Sequence, residues 1–191
     1  LAGTNFVLSY FIFTKKIRKI LQDDEFRLYV SFLMIFSLIV FLIICYKENI
    51  FIEYNFSNLE MRLRESIFQI VSVITTTGFV TSDYTQWSPL ITLIFFGLMF
   101  LGGSSGSTSG GIKLVRHMLM IKSGFLEFKR ALHPNAIIQA RYNDKIVSSS
   151  ISYNILGFFI LYMLSFIIGS FVFSAFGIDF QSSIGLAAST L

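Results

Sequence analysis

The sequence has few charged residues and few of the residue combinations that build catalytic or metal sites. Asp, Glu, Lys and Arg make up 14% of the 191 residues, against about 25% in soluble domains. The only cysteine, Cys45, excludes a disulfide within the chain. His117 and His133 have no Cys, His or carboxylate at metal-ligand spacing, so both are predicted to be surface residues. No Ser/His/Asp set or acid pair is spaced for catalysis either, so we predict neither an enzyme nor a cofactor.

Apolar sequence dominates the chain instead. Hydrophobic residues make up 54% of it, with 23 phenylalanines and a mean hydropathy of +0.70. Residues 28–46 form an uncharged run of 19, long enough for a helix to cross a hydrocarbon layer of roughly 30 Å, and residues 146–178 hold a second span. This pattern predicts an all-α polytopic membrane protein, and we expect the chain to be part of a longer one.

Most of the basic residues lie in two blocks. Of 15 Lys and Arg, 12 fall within residues 15–27 and 113–145, whereas residues 47–87 carry three basic and five acidic residues. Basic loops tend to stay in the cytoplasm, so both blocks are predicted to face inward and the stretch between them outward. The net charge of +4 is therefore explained by contact with membrane lipid, and no nucleic-acid partner is predicted.

A threonine-rich break follows a helix that is too short to cross the membrane. Ser57 and Glu60 form a capping-box start, and the apolar part of this helix is residues 67–74. At 1.5 Å per residue these cover about 12 Å, less than half of the hydrocarbon core. We predict a re-entrant pore helix followed by an ion-selectivity filter, which we name the threonine–glycine segment. Its residues are Thr75, Thr76, Thr77, Gly78 and Phe79.

The residue types of this segment suit a dehydrated cation. Successive backbone carbonyls can replace a water shell if the φ/ψ angles alternate in an unusual way, which Gly78 permits. The three threonines add hydroxyl oxygens, and the helix before them directs its partially negative end toward the ion. The segment is therefore predicted to bind a cation. The alternative is that the break merely ends a buried helix.

A second break follows the apolar run at residues 89–101. These 13 residues make about 20 Å of helix, too little to cross the membrane, yet the basic block beyond them is predicted to be cytoplasmic. The next ten residues must therefore begin at membrane depth. They form the glycine–serine loop, which comprises Gly102, Gly103, Ser104, Ser105, Gly106, Ser107, Thr108, Ser109, Gly110 and Gly111.

Three structures are compatible with the sequence of the glycine–serine loop. A phosphate-binding loop needs Lys-Ser/Thr after its last glycine, and Ile112 and Lys113 follow instead. A continuous helix would align Gly102, Gly106 and Gly110 as a packing seam. An unwound loop is favoured, because glycine and hydroxyl residues disfavour helix, and such a loop can obstruct an ion path. Lys113 either faces that path or, as we prefer, belongs to the cytoplasmic basic belt.

The chain resembles the Trk/Ktr/HKT superfamily of potassium uptake proteins, most closely the Trk-type membrane subunit. The resemblance is carried by three stretches, residues 75–79, 102–113 and 132–134 (Leu-His-Pro). The resemblance covers nearly the whole chain. It implies four repeats of helix, pore helix and helix around one pore, with a filter whose glycine favours K⁺ and a gate beneath it. It also implies a homodimer that binds a cytoplasmic nucleotide-binding regulatory subunit.

The resemblance assigns roles and boundaries. The threonine–glycine segment becomes the filter, with potassium at Thr76, Thr77 and Gly78, and the glycine–serine loop with Lys113 becomes the gate. Residues 1–27 then hold the end of a preceding repeat and a cytoplasmic linker. Residues 28–122 form a complete pore repeat with a re-entrant filter loop and a broken second helix. Residues 123–147 form a cytoplasmic linker, and residues 148–191 begin a next repeat that is truncated in its pore helix.

The implied function is potassium uptake across the cytoplasmic membrane by a multi-pass protein, without covalent chemistry. One alternative is a secondary cation transporter, coupled to Na⁺ or H⁺, with a midplane site at a broken helix. Another is a scaffold subunit that passes no ion. Ohmic single-channel currents would favour the pore, and a saturable flux that requires a second ion would favour the transporter.

The charge pattern predicts that residues 49–58 face outward. A cysteine introduced as Asn55→Cys should react with a membrane-impermeant thiol reagent added outside and not with the same reagent added inside. Labelling from the inside alone would reverse the predicted threading of the whole chain.

Overall fold

The computed structural model describes residues 3–15, 17–48, 56–133, 140–143 and 145–191, and most of them are helical. The predicted helical architecture is present, and the exception is one short antiparallel hairpin in the predicted cytoplasmic linker. In chain order the elements are α1 (Phe6–Phe13), α2 (Ile17–Leu21), α3 (Asp24–Lys47), α4 (Phe56–Ile74), a 3₁₀ turn (Tyr84–Gln86), α5 (Pro89–Met99), α6 (Leu114–Leu132), β1 (Arg141–Tyr142), β2 (Lys145–Ile146), α7 (Ser149–Ala175) and α8 (Phe180–Thr190).

Two of the described helices are long and apolar enough to cross a membrane. α3 has 24 residues and a hydropathy of 2.9, and the 26-residue stretch Ser150–Ala175 of α7 has a hydropathy of 2.4. α3 begins after Asp23, whose carboxylate accepts the N–H of Phe26 at 2.8 Å and so satisfies one free donor of the first turn. Only 6% of the most apolar part of α7 is buried within this chain, against 33% for α3. Most of the α7 surface is therefore available to lipid or to further protein.

The predicted short helix after the first span is α4. It begins at Phe56, one residue before the predicted cap Ser57, and residues 49–55 lie outside the described part of the chain. Glu60 pairs with Arg64 one turn on, and the predicted capping box with Ser57 stays a prediction. Arg62 bridges Glu65 at 2.8 Å and Glu48, at the end of α3, also at 2.8 Å. These charged pairs hold the polar half of α4 against the end of the spanning helix.

The hydrophobic core joins α3, α4 and α5. Phe95 at its centre is fully buried, and its ring centroid lies 4.6 Å from that of Tyr84 and 6.5 Å from that of Trp87. Pro89 starts α5 after Ser88, whose hydroxyl accepts the N–H of Leu90, so the proline's missing N–H leaves no gap in the hydrogen bonding. The buried members of the core are Tyr29, Val40, Ile44, Ile70, Ile74, Trp87, Ile91, Phe95, Leu98 and Leu114.

The helical sequence that starts at Pro89 is interrupted, as predicted. α5 ends at Met99 and α6 begins at Leu114. The residues between them are not helical, so the continuous helix with a seam of Gly102, Gly106 and Gly110 is wrong. The physical reason is the density of glycines, two of which (Gly106 and Gly111) adopt positive φ.

A second pairing of a long helix with a short one follows. α8 packs on α7 and reaches α5, and it begins after Asp179, whose carboxylate accepts the Ser182 N–H at 3.0 Å. This repeats the order of α3 and α4. The division of the chain into repeats at residues 28–122 and 148–191 stays a prediction.

Candidate ion pathway

The backbone of the threonine–glycine segment winds in an unusual way directly after α4. Thr76 has a φ of 52° and Gly78 a φ of 72°, so two left-handed residues flank Thr77. A positive φ is rare for a β-branched residue such as threonine, and it needs support from its surroundings. Part of that support is the Thr77 N–H, which donates to the Ser72 carbonyl at 3.0 Å. The segment therefore has the alternating backbone expected of a chain that turns its carbonyls out of helical register.

The side-chain hydroxyls of this segment hold the backbone in place. The Thr75 hydroxyl donates to the Val71 carbonyl at 2.7 Å and lies 3.2 Å from the Thr77 hydroxyl. The Thr77 hydroxyl lies 3.3 Å from the Ser72 carbonyl, and Ser72 donates to the Phe79 carbonyl at 2.6 Å. Two of the three threonine hydroxyls are thus hydrogen-bonded within α4 and its end.

The carbonyl oxygens of residues 75–78 stand apart from this network. Among the hydrogen bonds of the described residues, none is donated to any of these four oxygens. Thr75 is buried, whereas residues 76–79 are exposed, and Phe79 reaches 70%. Carbonyl groups without a protein donor need water or an ion. Within the described part of the chain, these backbone oxygens are therefore the acceptors of the segment that remain open.

A stripe of buried polar side chains on α4 supports the segment from behind. Ser66, Gln69 and Ser72 are each no more than 4% exposed and recur every three residues, so they share one helix face. The Gln69 amide donates to the Ser82 carbonyl at 2.8 Å, which fastens the chain on its return from the segment. Sequence analysis missed this support. The polar spacing at 66, 69 and 72 inside the otherwise apolar second half of α4 is the signal that could have found it.

The glycine–serine loop is closed at its base. The Gly102 N–H donates to the Ile112 carbonyl at 2.9 Å, and the Ile112 N–H donates to the Phe100 carbonyl at 3.3 Å. Leu101 and Ile112 consequently pair as a parallel β-bridge. The closure needs glycine, because a Cβ on Gly102 would lie 2.3 Å from the Gly110 carbonyl oxygen.

Lys113 points back into this loop. Its ammonium donates to the Ser107 carbonyl at 3.1 Å and to the Ser109 carbonyl. The Ser109 hydroxyl in turn accepts the Gly103 N–H at 2.8 Å. The ammonium therefore contacts the loop, and the assignment of Lys113 to the cytoplasmic basic belt stays a prediction. A charged donor among carbonyl oxygens is stabilised by the loop that it orders.

Further hydrogen bonds attach the loop to its surroundings. The Gly110 N–H donates to the Thr76 hydroxyl at 2.9 Å, which joins the loop to the threonine–glycine segment directly. The Ser104 N–H donates to the Gly3 carbonyl at 2.9 Å, and the Ser105 N–H donates to the Glu25 carboxylate. The third threonine hydroxyl thus serves as an acceptor for the loop.

A cavity of about 430 Å³ lies between the two breaks. Thr76 and Gly78 line it from the threonine–glycine segment, Gly110 from the loop, and Ser189 and Thr190 from the end of α8. Its walls are polar in these places, and its volume is sufficient for several waters or a partly hydrated cation. The structure therefore brings the predicted filter and the predicted gate to one cavity, together with the hydroxyl residues that end α8.

Two carboxylates cap the short elements on the predicted outer side. Hydrogen bonds from Thr85 hold the pKa of Asp83 below its usual value, and the Ser182 N–H has the same effect on the pKa of Asp179. Both groups are consequently ionised at neutral pH. Neither belongs to an ion pair among the described residues, so both leave negative charge on this side of the protein.

The two histidines differ from each other. His133 is exposed, as predicted, whereas His117 in α6 is partly buried, so its predicted surface position is not what the structure shows. No group of three or more metal-ligating side chains occurs within the described ranges.

The comparisons with known proteins decide the family. A family model described as "TrkH: Cation transport protein" matches residues 1–190. The chain belongs to this family. It is 30% identical to the Trk system potassium uptake protein TrkH of Escherichia coli K12 over 193 aligned residues, which is 100% of the chain and 38% of that protein. It is 34% identical to the TrkH of Halomonas elongata over 89% of the chain and 34% of that protein.

The fold matches a solved structure of the same family. The crystal structure of the potassium transporter TrkH from Vibrio parahaemolyticus superposes with a TM-score of 0.87 at 28% identity, covering 99% of this chain and 40% of that one. The resemblance to Trk-type membrane subunits is thus confirmed, and the chain is a multi-pass protein of the cytoplasmic membrane. The chain spans about two fifths of the length of these relatives.

The closed base of the glycine–serine loop predicts which glycine substitutions destabilise the protein. Gly102→Ala should lower the melting temperature and the folded yield in detergent, because its Cβ meets the Gly110 carbonyl and overpacking costs about 1–3 kcal/mol. Gly97→Ala in α5 is the matched control, since no atom lies within 4 Å of its added Cβ. Equal melting temperatures for the two variants would contradict the closed geometry of the loop.

Proposed function

We propose that this chain forms part of a pathway for potassium uptake across the cytoplasmic membrane, with the threonine–glycine segment as its selectivity filter. The observation that carries the proposal is the set of carbonyl oxygens at residues 75–78, which accept no hydrogen bond from the described residues and adjoin a cavity lined by Thr76 and Gly78. Membership of the TrkH family and the names of the relatives support potassium as the ion. No covalent chemistry is required.

The filter works by replacing water around the ion. Potassium is held at Thr76, Thr77 and Gly78, where left-handed residues alternate with an ordinary one and direct successive carbonyls to the pathway. α4 ends directly before them, so the partially negative end of the helix adds to the attraction for a cation. The ionised Asp83 and Asp179 raise the local cation concentration on the outer side.

The glycine–serine loop with Lys113 is the gate in this proposal. It lies across the cavity from Gly78, and its Gly110 donates to Thr76, so an ion that leaves the filter meets the loop next. Its position depends on a few hydrogen bonds and on glycine-rich backbone, which moves between conformations at little steric cost. Displacement of the loop opens the path.

The pathway is completed by parts beyond this chain. The relatives are more than twice as long as the chain, and the end of α8 contributes Ser189 and Thr190 to the same cavity. We propose that further repeats of the same kind surround the pore. We also propose that the subunit forms a homodimer in the lipid membrane and binds a cytoplasmic nucleotide-binding regulatory subunit.

The filter assignment predicts a loss of selectivity in Gly78→Ser. Nothing lies within 4 Å of the added Cβ, so the strain comes from the φ of 72°, which costs a residue with a side chain about 1–2 kcal/mol. The variant should pass more Na⁺ relative to K⁺ when the full-length protein is reconstituted in liposomes. Gly124→Ser in α6 is the control, because its Cβ is equally free and its φ is not positive. An unchanged K⁺/Na⁺ permeability ratio in Gly78→Ser would remove Gly78 from the filter.

The gate assignment predicts a gain of flux when the loop is shortened. Deletion of residues 104–109 leaves Gly103 and Gly110 to be joined, and the contact between Gly102 and Gly110 shows that the ends are close enough. K⁺ flux per folded protein should rise, while the K⁺/Na⁺ ratio stays near the parent value because the filter is untouched. If the well-folded deletion variant conducts no more than the parent, the loop is not a gate.

A further inference from the structure

Glu25 is a buried carboxylate that neither the filter nor the loop includes. It lies in the first turn of α3 and is 2% exposed. None of the ion pairs among the described residues involves it. Its partners are neutral donors: the N–H of Ser105 and, at 3.4 Å, the hydroxyl of Tyr142. A buried carboxylate needs such donors, so Glu25 and its two partners hold one another in position.

The bond to Ser105 reaches the glycine–serine loop across 80 residues of sequence. The loop is also attached to the start of α6 by the Lys113 ammonium, and to Gly3 by the N–H of Ser104 at 2.9 Å. A bond to a carboxylate is about twice as strong as a bond between neutral groups. Glu25 therefore provides a charged attachment of the loop to α3.

A cytoplasmic hairpin controls the surroundings of Glu25. The hairpin consists of β1, β2 and Asn143, whose φ of 46° turns the chain between the strands. The Asn143 side chain accepts the Asp24 N–H at 2.9 Å and donates to the Asp23 carboxylate at 2.9 Å, and its own N–H donates to the Asp24 carboxylate at 3.2 Å. The hairpin thus caps the start of α3, where backbone N–H groups have no partner inside the helix.

Two neighbouring side chains complete this cluster. Lys122 of α6 lies 3.5 Å from the Asp24 carboxylate and donates to the Arg141 carbonyl at 3.1 Å. Tyr142 is placed next to Asn143 and over Glu25, and burial together with the Glu25 carboxylate raises the pKa of its phenol. The phenol consequently keeps its proton and remains a donor.

We propose that Glu25 is a positioning residue for the gate, and that the cytoplasmic hairpin sets its position. Displacement of the hairpin from the start of α3 removes Tyr142 from Glu25, weakens the hold of Glu25 on Ser105 and releases the loop. A cytoplasmic partner that pulled on the hairpin would thereby act on a gate in the membrane. This inference rests on the proposed role of the loop as a gate.

Three substitutions in the full-length protein test the attachment. Glu25→Ala removes the acceptor, Tyr142→Phe removes one donor, and Asn143→Gly removes the side-chain bonds of the hairpin while allowing the positive φ. Each should raise K⁺ flux per folded protein in liposomes, by about tenfold for Glu25→Ala, the ratio expected for loss of a bond to a charged group. The K⁺/Na⁺ ratio should stay at the parent value. Tyr153→Phe is the control, because this tyrosine is exposed and lies outside the cluster.

Combining Glu25→Ala with the loop deletion tests whether Glu25 positions the loop or only stabilises the protein in general. Removal of residues 104–109 takes away Ser105, so Glu25→Ala should add nothing to the flux of the deletion variant. An independent further increase would overturn the inference, because Glu25 would then act elsewhere. If Glu25→Ala fails to fold, Tyr142→Phe and Asn143→Gly in the cytoplasmic hairpin carry the same test. Parent-like flux in these variants, with raised flux in the deletion variant, would overturn the inference and leave the gate in place. Unchanged flux in the deletion variant would instead count against the gate itself.

Discussion

Backbone polar groups at membrane depth must find partners, because hydrocarbon offers none. The chain breaks its helices twice, after Ile74 and after Met99, and each break leaves such groups. The two breaks meet each other through the bond from Gly110 to Thr76, and Gly102 pairs with Ile112 to close the loop. The carbonyls of residues 75–78 lie beside a cavity rather than beside donors. The same constraint that forbids unpaired backbone in lipid thus concentrates these oxygens beside the cavity.

Lys113 follows from this constraint as well. A loop rich in carbonyl oxygens and poor in donors is stabilised by a cation of its own, and the Lys113 ammonium bonds to the carbonyls of Ser107 and Ser109. Because Lys113 is the N-cap residue of α6, its ammonium attaches the loop to the start of that helix. Further attachments to other elements are made by Thr76, Gly3 and Glu25.

The sequence predicted features that depend on neighbours along the chain. Run length and propensity located the short helix α4, the break at Thr75 and the unwound loop, since each is a local property. The direction of Lys113 and the partners of Glu25 were not predictable in this way. Glu25 meets Ser105 and Tyr142 across 80 and 117 residues, and nothing in a single sequence ties such positions together. The acidic run that contains Glu25 looked like part of a polar linker for the same reason.

The energetics of the loop attachments suit an element that moves. A neutral hydrogen bond contributes about 0.5–1.5 kcal/mol net, and water in the adjoining cavity can replace each one when the loop shifts. The bonds to Glu25 and to the Lys113 ammonium involve a charge, and they cost more to break. In the proposed gate, each such bond is small enough for binding of a partner to offset it. A loop buried under apolar side chains would lack this property, so the glycines and serines that weaken its packing are what make it adjustable.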